Sequence, residues 1–323
     1  MYVVVSGSRF FTQKVDPGTS IRDTKYTVLN EGNLFNSSSS KKNSHFLPIV
    51  LILLISVIIY SNTFYSSFHL DDFNNITDNP SVKSPREFLR TLQDNGRPVL
   101  MSSFLINYLA DNFNVSGYHA VNLLLHALNG ILLYFILYKT LNLPLFKKSA
   151  GVLYEKKIII AALASLIFVS HPIQTESVTY ITSRSELLVT FFYLTALLLF
   201  INYYAGPVGR QVPEKRIKKI FFYILLFLSA LLASGSKETA VTLPAIAILY
   251  DFCFLSRGTV KGIIEKRLIP HLIFIVSSLF IFYNFFFRIP QAGSAGFSVK
   301  IITPLQYLFT QFNVFWTYVR LLI

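Results

Sequence analysis

Eight runs of apolar residues, most close to the length at which an α-helix crosses a bilayer, constrain this chain more than any other feature. They lie near Phe46–Phe64, Tyr118–Tyr138, Ile158–Val169, Leu187–Tyr204, Ile220–Ser234, Ala240–Leu255, Leu272–Phe287 and Pro304–Ile323. In hydrocarbon no water satisfies backbone N–H and C=O groups, so such runs must fold as helices. A water-soluble reading fails on composition. With 53% hydrophobic and 14% charged residues, 323 residues offer too little polar surface to cover a core that size. The expectation is an all-α polytopic membrane bundle over 46–323, with about eight spans. The polar leader 1–45, with Ser37-Ser38-Ser39-Ser40-Lys41-Lys42, reads as disordered and cytoplasmic. It also places the first run too far from the N-terminus for a cleavable signal peptide. A single cysteine, Cys253, excludes a disulfide framework and any multi-cysteine metal site.

The net charge of +13 first suggests an acidic partner such as nucleic acid. Its distribution says otherwise. Taken segment by segment between the runs, Lys and Arg number 6, 4, 5, 1, 5, 1, 4 and 2, with Arg320 inside the last run. Basic residues gather on the cytoplasmic side of membrane proteins, which puts the N-terminus there. The inner segments then hold twenty basic and seven acidic residues, the outer ones eight and nine. Orientation accounts for the whole excess, and no nucleic-acid partner is expected.

The inner loops, such as Leu145-Phe146-Lys147-Lys148, read as solvated lysines. The outer segments are richer. The first, within an outer loop 66–115, opens with His69-Leu70-Asp71-Asp72-Phe73 just beyond the first run. Paired carboxylates at a membrane surface serve as a general base or hold a divalent cation; the plainer reading is that one aspartate caps a turn. Arg97-Pro98 opens an apolar stretch to Ala110, too short to span, which either lies along the outer surface or merges with the next helix. His119, Asn122, His126 and Asn129 follow at helical spacing on one face, lining a wet cavity or hydrogen-bonding between helices.

The second outer segment carries His171 and Glu176, which have no local explanation. Ser183 and Glu186 fit a capping box, leaving Arg184 to face the outer aqueous cavity. In the third, Ser234-Gly235-Ser236-Lys237-Glu238-Thr239, the lysine either pairs locally or binds phosphate, and Pro244 is expected to kink the helix below. Acids, histidines and cations thus converge on one side, as a site for an anionic, membrane-embedded substrate requires. Asn75-Ile76-Thr77 and Asn114-Val115-Ser116 are outer-side glycosylation sequons.

Several of these motifs in order resemble one family. They are His69-Leu70-Asp71-Asp72-Phe73, Arg97-Pro98, Gly117-Tyr118-His119-Ala120-Val121-Asn122-Leu123-Leu124-Leu125-His126, and His171-Pro172-Ile173-Gln174-Thr175-Glu176. Ser183-Arg184-Ser185-Glu186, Lys237-Glu238-Thr239-Ala240 and Tyr250-Asp251 complete the series. The series is similar to the membrane half of the transmembrane and tetratricopeptide-repeat O-mannosyltransferases and their bacterial relatives, of the GT-C class. The resemblance implies a polyprenyl-phosphate sugar donor, a protein Ser or Thr acceptor, and reaction on the lumenal or periplasmic face. It implies Asp71 or Asp72 as the base, Arg184, Lys237 and His171 as binders of the donor phosphate, and Glu176, Glu238, His119, Asn122, His126 and Arg97 as supporting residues. A divalent cation at Asp71/Asp72 stays open, as does the choice between bacterial inner membrane and endoplasmic reticulum. The family's repeats do not follow, so a truncated product is expected. The rival readings are a GT-C transferase acting on lipid or polysaccharide, a transporter or flippase, and an inactive scaffold.

Overall fold

The computed structural model describes residues 2–6, 9–13, 45–93, 95–149, 151–204, 216–283 and 303–322. The chain divides into two units, 1–45 and 46–323. In the first, strands β1 (Tyr2–Ser6) and β2 (Arg9–Gln13) pair antiparallel, Tyr2 opposite Gln13 and Ser6 opposite Arg9. The rest of the leader, 14–44, on which the expectation of disorder chiefly falls, lies outside the described residues, as do Arg210, Lys215 and 284–302.

The second unit is a bundle of helices. Those of eight residues or more are α1 (Phe46–Tyr60), α2 (Pro98–Asp111), α3 (Val115–Leu141), α4 (Lys157–Ser170), α5 (Arg184–Tyr204), α6 (Arg216–Ser234), α7 (Leu243–Tyr250), α8 (Val260–Tyr283) and α9 (Pro304–Leu322). Wherever they are described, all eight apolar runs fall on helix. Among the described residues, five stretches are long and apolar enough to cross a membrane: Phe46–Tyr65, Val115–Leu141, Ile181–Tyr204, Arg216–Ser234 and Glu238–Leu255. A sixth is formed if Lys157–Ser170 and Pro172–Thr179, bent by 51°, make one span. The two further runs fall short for local reasons. In α8, Arg267 leaves helical geometry (φ −133°) just before Pro270, which lacks an N–H and crowds the carbonyl four residues back. In α9, Gln306, Thr310, Asn313 and Thr317 interrupt the apolar sequence.

α5 is the hub, packed against α3 on one side and α6 on the other; α3 continues to α4 and α1, α6 to α8. Where α3 meets α1 and α4 the backbones approach closely, and a Cβ at Gly130 would collide with Val169 and Ile52. At the end carrying Asp71, Ile76, Val82, Leu100, Phe104, Tyr118, Val178 and Ile181 form a buried apolar cluster roofing the bundle. α2 is a separate helix that begins at Pro98, as expected. Asn112, in the left-handed region at φ 50°, ends it, and the Asn114 side chain caps α3 by accepting from Ser116 N. Pro244 does not kink a helix. It sits in the first turn of α7, where its missing N–H leaves no bond unmade.

Candidate active site

One short segment, Tyr180 to Glu186, organises the Asp71 end of the bundle. Tyr180 is extended, Ile181–Ser183 make a 3₁₀ turn, and α5 starts at Arg184. Its even-numbered residues reach different elements: Tyr180 meets Asp71, Thr182 meets Asp72, Arg184 meets α2 and α3, and Glu186 meets Lys237.

The two aspartates are adjacent in sequence and opposite in circumstance. Asp72 is 1% exposed and both of its carboxylate oxygens are engaged. Oδ1 accepts from Thr182 N (2.8 Å) and Thr182 Oγ1 (2.5 Å), and Oδ2 accepts from His69 N at 3.0 Å. It makes no side-chain cap on the π-type turn Phe73–Thr77 that follows it. Its oxygens instead close the 69–72 turn, where Asp72 N also donates to His69 O at 2.9 Å, and tie that turn to α5. Asp71 is exposed, and its amide donates to Tyr180 Oη at 2.9 Å. The divergence is made by Leu70, held at φ 47° in the left-handed region. For a residue with a Cβ this costs about 1–2 kcal/mol and persists only where the surroundings impose it. Burial, with the nearby charge of Asp71 and Asp72, raises the Tyr180 phenol above its ordinary pKa, so it remains a neutral hydroxyl.

This geometry does not suit a cation shared by the pair. Asp72 has its oxygens committed to N–H and O–H donors, and no group of three or more His, Cys, Asp or Glu able to hold a metal ion occurs among the described residues.

Arg184 departs from expectation. It does not face an aqueous cavity; it is 0% exposed. Nε donates to Asn122 Oδ1 at 2.8 Å, Nη1 to Asn107 Oδ1 at 2.6 Å and to Ser103 at 3.3 Å, and Nη2 to Tyr118 O at 3.0 Å. The guanidinium lies 4.7 Å from the Phe104 ring centroid. Burying this always-charged group is tolerable because neutral oxygens and a π face surround it. The polar stripe of α3 serves the same packing. Asn122 Nδ2 lies 3.4 Å from the carbonyls of Val178, Tyr180 and Ile181, and Asn129 donates to Leu187 O at 3.0 Å. His119 Nε2 and His126 Nε2 lie 3.1 Å from the carbonyls of Ser66 and Val169, and must donate, since a carbonyl only accepts. All four are buried and bond to backbone carbonyls, His126 and Asn129 to neighbouring helices and His119 and Asn122 to the 66 and 178–181 segments, instead of lining a wet cavity.

The remaining cations are paired. Lys237 meets Glu186, and Arg97 grips Glu238 in a two-point contact of 3.0 Å each. Glu186 therefore does not close a capping box; Ser183 N donates to Tyr180 O instead. Gly235 lets the third turn approach α2: Val99 N donates to Gly235 O at 3.0 Å, and a Cβ there would stand 2.7 Å from Val99 Cγ2. His171 gains a local role, Nδ1 accepting from Ile173 N at 3.2 Å, while Glu176 is exposed. Asp71, Asp72, Arg184, Asn122, Tyr180 and Thr182 thus form one connected network. Arg97, Lys237, Glu186 and Glu238 make a second knot further along α5.

Sequence reasoning missed Tyr180, Thr182 and a further buried cluster. In the last, Asp251 (0% exposed) accepts from Arg267 Nε at 2.7 Å and Ser256 Oγ at 2.7 Å and lies 2.9 Å from His271 Nε2. Arg267 is consequently not a solvated inner-loop cation. Spacing carried a partial signal, since Arg267 and His271 are four apart, the separation that brings side chains together on a regular helix, although Arg267 itself leaves helical geometry.

Comparison with known proteins supports the motif series. The chain is 29% identical over 231 residues to protein O-mannosyl-transferase TMTC3 of Homo sapiens, covering 67% of this chain and 22% of that protein. It is 32% identical over 233 residues to a protein O-mannosyl-transferase of Caenorhabditis elegans, covering 67% and 30%. It is 28% identical over 224 residues to protein O-mannosyl-transferase TMTC1 of Homo sapiens, covering 64% and 24%. It therefore spans less than a third of the length of each of these relatives. No family model matches the chain, and no solved structure matches it significantly. By these matches the chain is a relative of the transmembrane and tetratricopeptide-repeat O-mannosyltransferases.

Proposed function

We propose that the unit from Phe46 onward is the membrane domain of a GT-C-type glycosyltransferase. It moves mannose from a polyprenyl-phosphate carrier to a Ser or Thr hydroxyl of a protein, on the lumenal side of the endoplasmic reticulum membrane. The observation that carries this reading is Asp71, an exposed carboxylate on a strained turn whose neighbour Asp72 is locked in place. The names of the relatives, all from animals, support the protein acceptor and the sugar. The side follows from the charge distribution between segments.

In this mechanism Asp71 takes the proton of the acceptor hydroxyl. That oxygen attacks the sugar's anomeric carbon, and the bond from that carbon to the phosphate oxygen breaks. The electron pair leaves on the lipid phosphate. A positioned base contributes about 10²–10⁴-fold. Lys237 stabilises the departing phosphate by exchanging Glu186 for it, and the Nε2–H of His171 is free to donate because Nδ1 is already the acceptor for Ile173. Arg184 holds α2, α3 and α5 in register behind the site.

The test is transfer in membranes holding the full-length protein, with polyprenyl-phosphate mannose and candidate acceptor proteins. Loss of transfer in Asp71→Asn supports the base assignment, and undiminished transfer removes it. Transfer to lipid or polysaccharide alone would reassign the acceptor.

A further inference from the structure

We propose that Tyr180 is a positioning residue that aims the Asp71 carboxylate, an inference resting on the reading of Asp71 as the base. Asp71 is exposed, so burial does not fix its direction. Two restraints act on it. One is covalent: Leu70 at φ 47° turns the chain so that Asp72 enters the protein and Asp71 leaves it. The other is Tyr180, whose Oη accepts the Asp71 N–H at 2.9 Å. An accepting phenol oxygen keeps its own proton to donate, and the Asp71 side chain stands close enough for its charge to act on that phenol. A neutral phenol at this place therefore holds the Asp71 amide and has its proton available to the neighbouring carboxylate.

Tyr180 is itself held by its chain position. Its carbonyl lies 3.4 Å from Asn122 Nδ2 and accepts Ser183 N at 3.1 Å, while Thr182, two residues on, grips Asp72. The same segment that buries one aspartate thus orients the other, so carboxylate and α5 move as one piece. A base must sit within hydrogen-bond reach of its proton, and small misplacements carry large rate penalties.

The experiment uses the full-length protein in membranes and the Tyr180→Phe variant, which removes one oxygen and keeps the ring. The expected result is a fall in kcat of about 10–100-fold, with KM for donor and acceptor within about twofold of wild type. In hydrogen exchange of the intact protein, the Asp71 amide, now without its phenol acceptor, exchanges faster, while the α3 and α5 amides are unchanged. The decisive arm is the cycle with Asp71→Asn: with the carboxylate gone, Tyr180→Phe lowers the residual transfer no further. Full kcat in Tyr180→Phe, or an equal fold loss in both backgrounds, would overturn the positioning role. Wild-type transfer in Asp71→Asn alone would instead sink the base reading, a separately visible failure.

Discussion

Replacing Asp72 and Asp71 separately by asparagine, two changes of identical chemistry on adjacent residues, is expected to give opposite phenotypes. Asp72 accepts three hydrogen bonds in a buried setting, two from Thr182 and one from His69 N. Bonds to a charged acceptor contribute about 1.5–3 kcal/mol each. Asparagine keeps one oxygen, best directed at Thr182, and sets its NH₂ against the His69 N–H, so one bond is lost and two are weakened. We expect Asp72→Asn to cost about 3 kcal/mol, roughly 6–12 °C in thermal midpoint for a unit of this size. Asp71→Asn, on an exposed side chain, should shift that midpoint by no more than about 1–2 °C, since surface substitutions usually stay within ±0.5 kcal/mol. Transfer should rank the variants differently: Asp71→Asn folds normally but loses about 10²–10⁴-fold in transfer, whereas Asp72→Asn is unstable and regains part of its activity on cooling. The assay is thermal unfolding in detergent beside sugar transfer in membranes. An Asp72→Asn protein as stable as wild type would refute the division of labour, and so would an Asp71→Asn protein that unfolds early.

Arg184→Ala strips hydrogen bonds from Asn122, Asn107, Ser103 and Tyr118 and should cost about 4 kcal/mol or more, read as loss of folded protein in detergent, with Arg184→Lys intermediate. A stable Arg184→Ala would show that α2, α3 and α5 do not depend on it. Lys237→Ala should leave stability within about 1 kcal/mol, because its partner Glu186 is partly exposed, yet raise KM for the polyprenyl-phosphate donor. An unchanged donor KM removes Lys237 from the phosphate site. Leu70→Asn should be neutral or stabilising by about 0.5–1 kcal/mol, because asparagine tolerates positive φ, while Leu70→Val should destabilise. Reversed signs in unfolding would deny the strain. Gly235→Ala should destabilise by about 1–3 kcal/mol through its collision with Val99, measured by the same melt.

Much of the fold was legible because a bilayer enforces helices wherever apolar residues run on, and the described residues of all eight runs are helical. Pro98 at a helix start was legible for an equally local reason. What failed was every inference that needed to know which residue from another helix would arrive. Glu186 fits a capping box within its own four residues, but Lys237, fifty-one positions away, claims its carboxylate. Arg184 looked solvent-directed because charged residues at helix starts usually are; its acceptors come from α2 and α3, 62 to 81 positions upstream. The choice between Asp71 and Asp72 could not be read from sequence at all. It depends on a backbone torsion at Leu70 and on Thr182, 110 positions from Asp72.

That choice shows how satisfaction of polar groups separates structural from reactive carboxylates here. Asp251 and Asp72 are both buried, and each has both side-chain oxygens engaged: the first by Arg267, Ser256 and His271, the second by Thr182 and His69. A carboxylate so enclosed lowers the energy of one arrangement, and burial keeps its one remaining lone pair away from a substrate proton. Glu186 and Glu238 are spoken for by Lys237 and Arg97. Asp71 differs in kind, since its backbone N–H is held by Tyr180 while its exposed carboxylate keeps acceptor capacity toward solvent. A base needs both conditions, a fixed direction and an unspent lone pair, and the strained Leu70 is what allows adjacent residues to divide them. Any substitution that returned Leu70 to negative φ without loss of fold should therefore point Asp71 and Asp72 along a different pair of directions. Its effect would be read as lost transfer in a protein that still unfolds at the normal temperature.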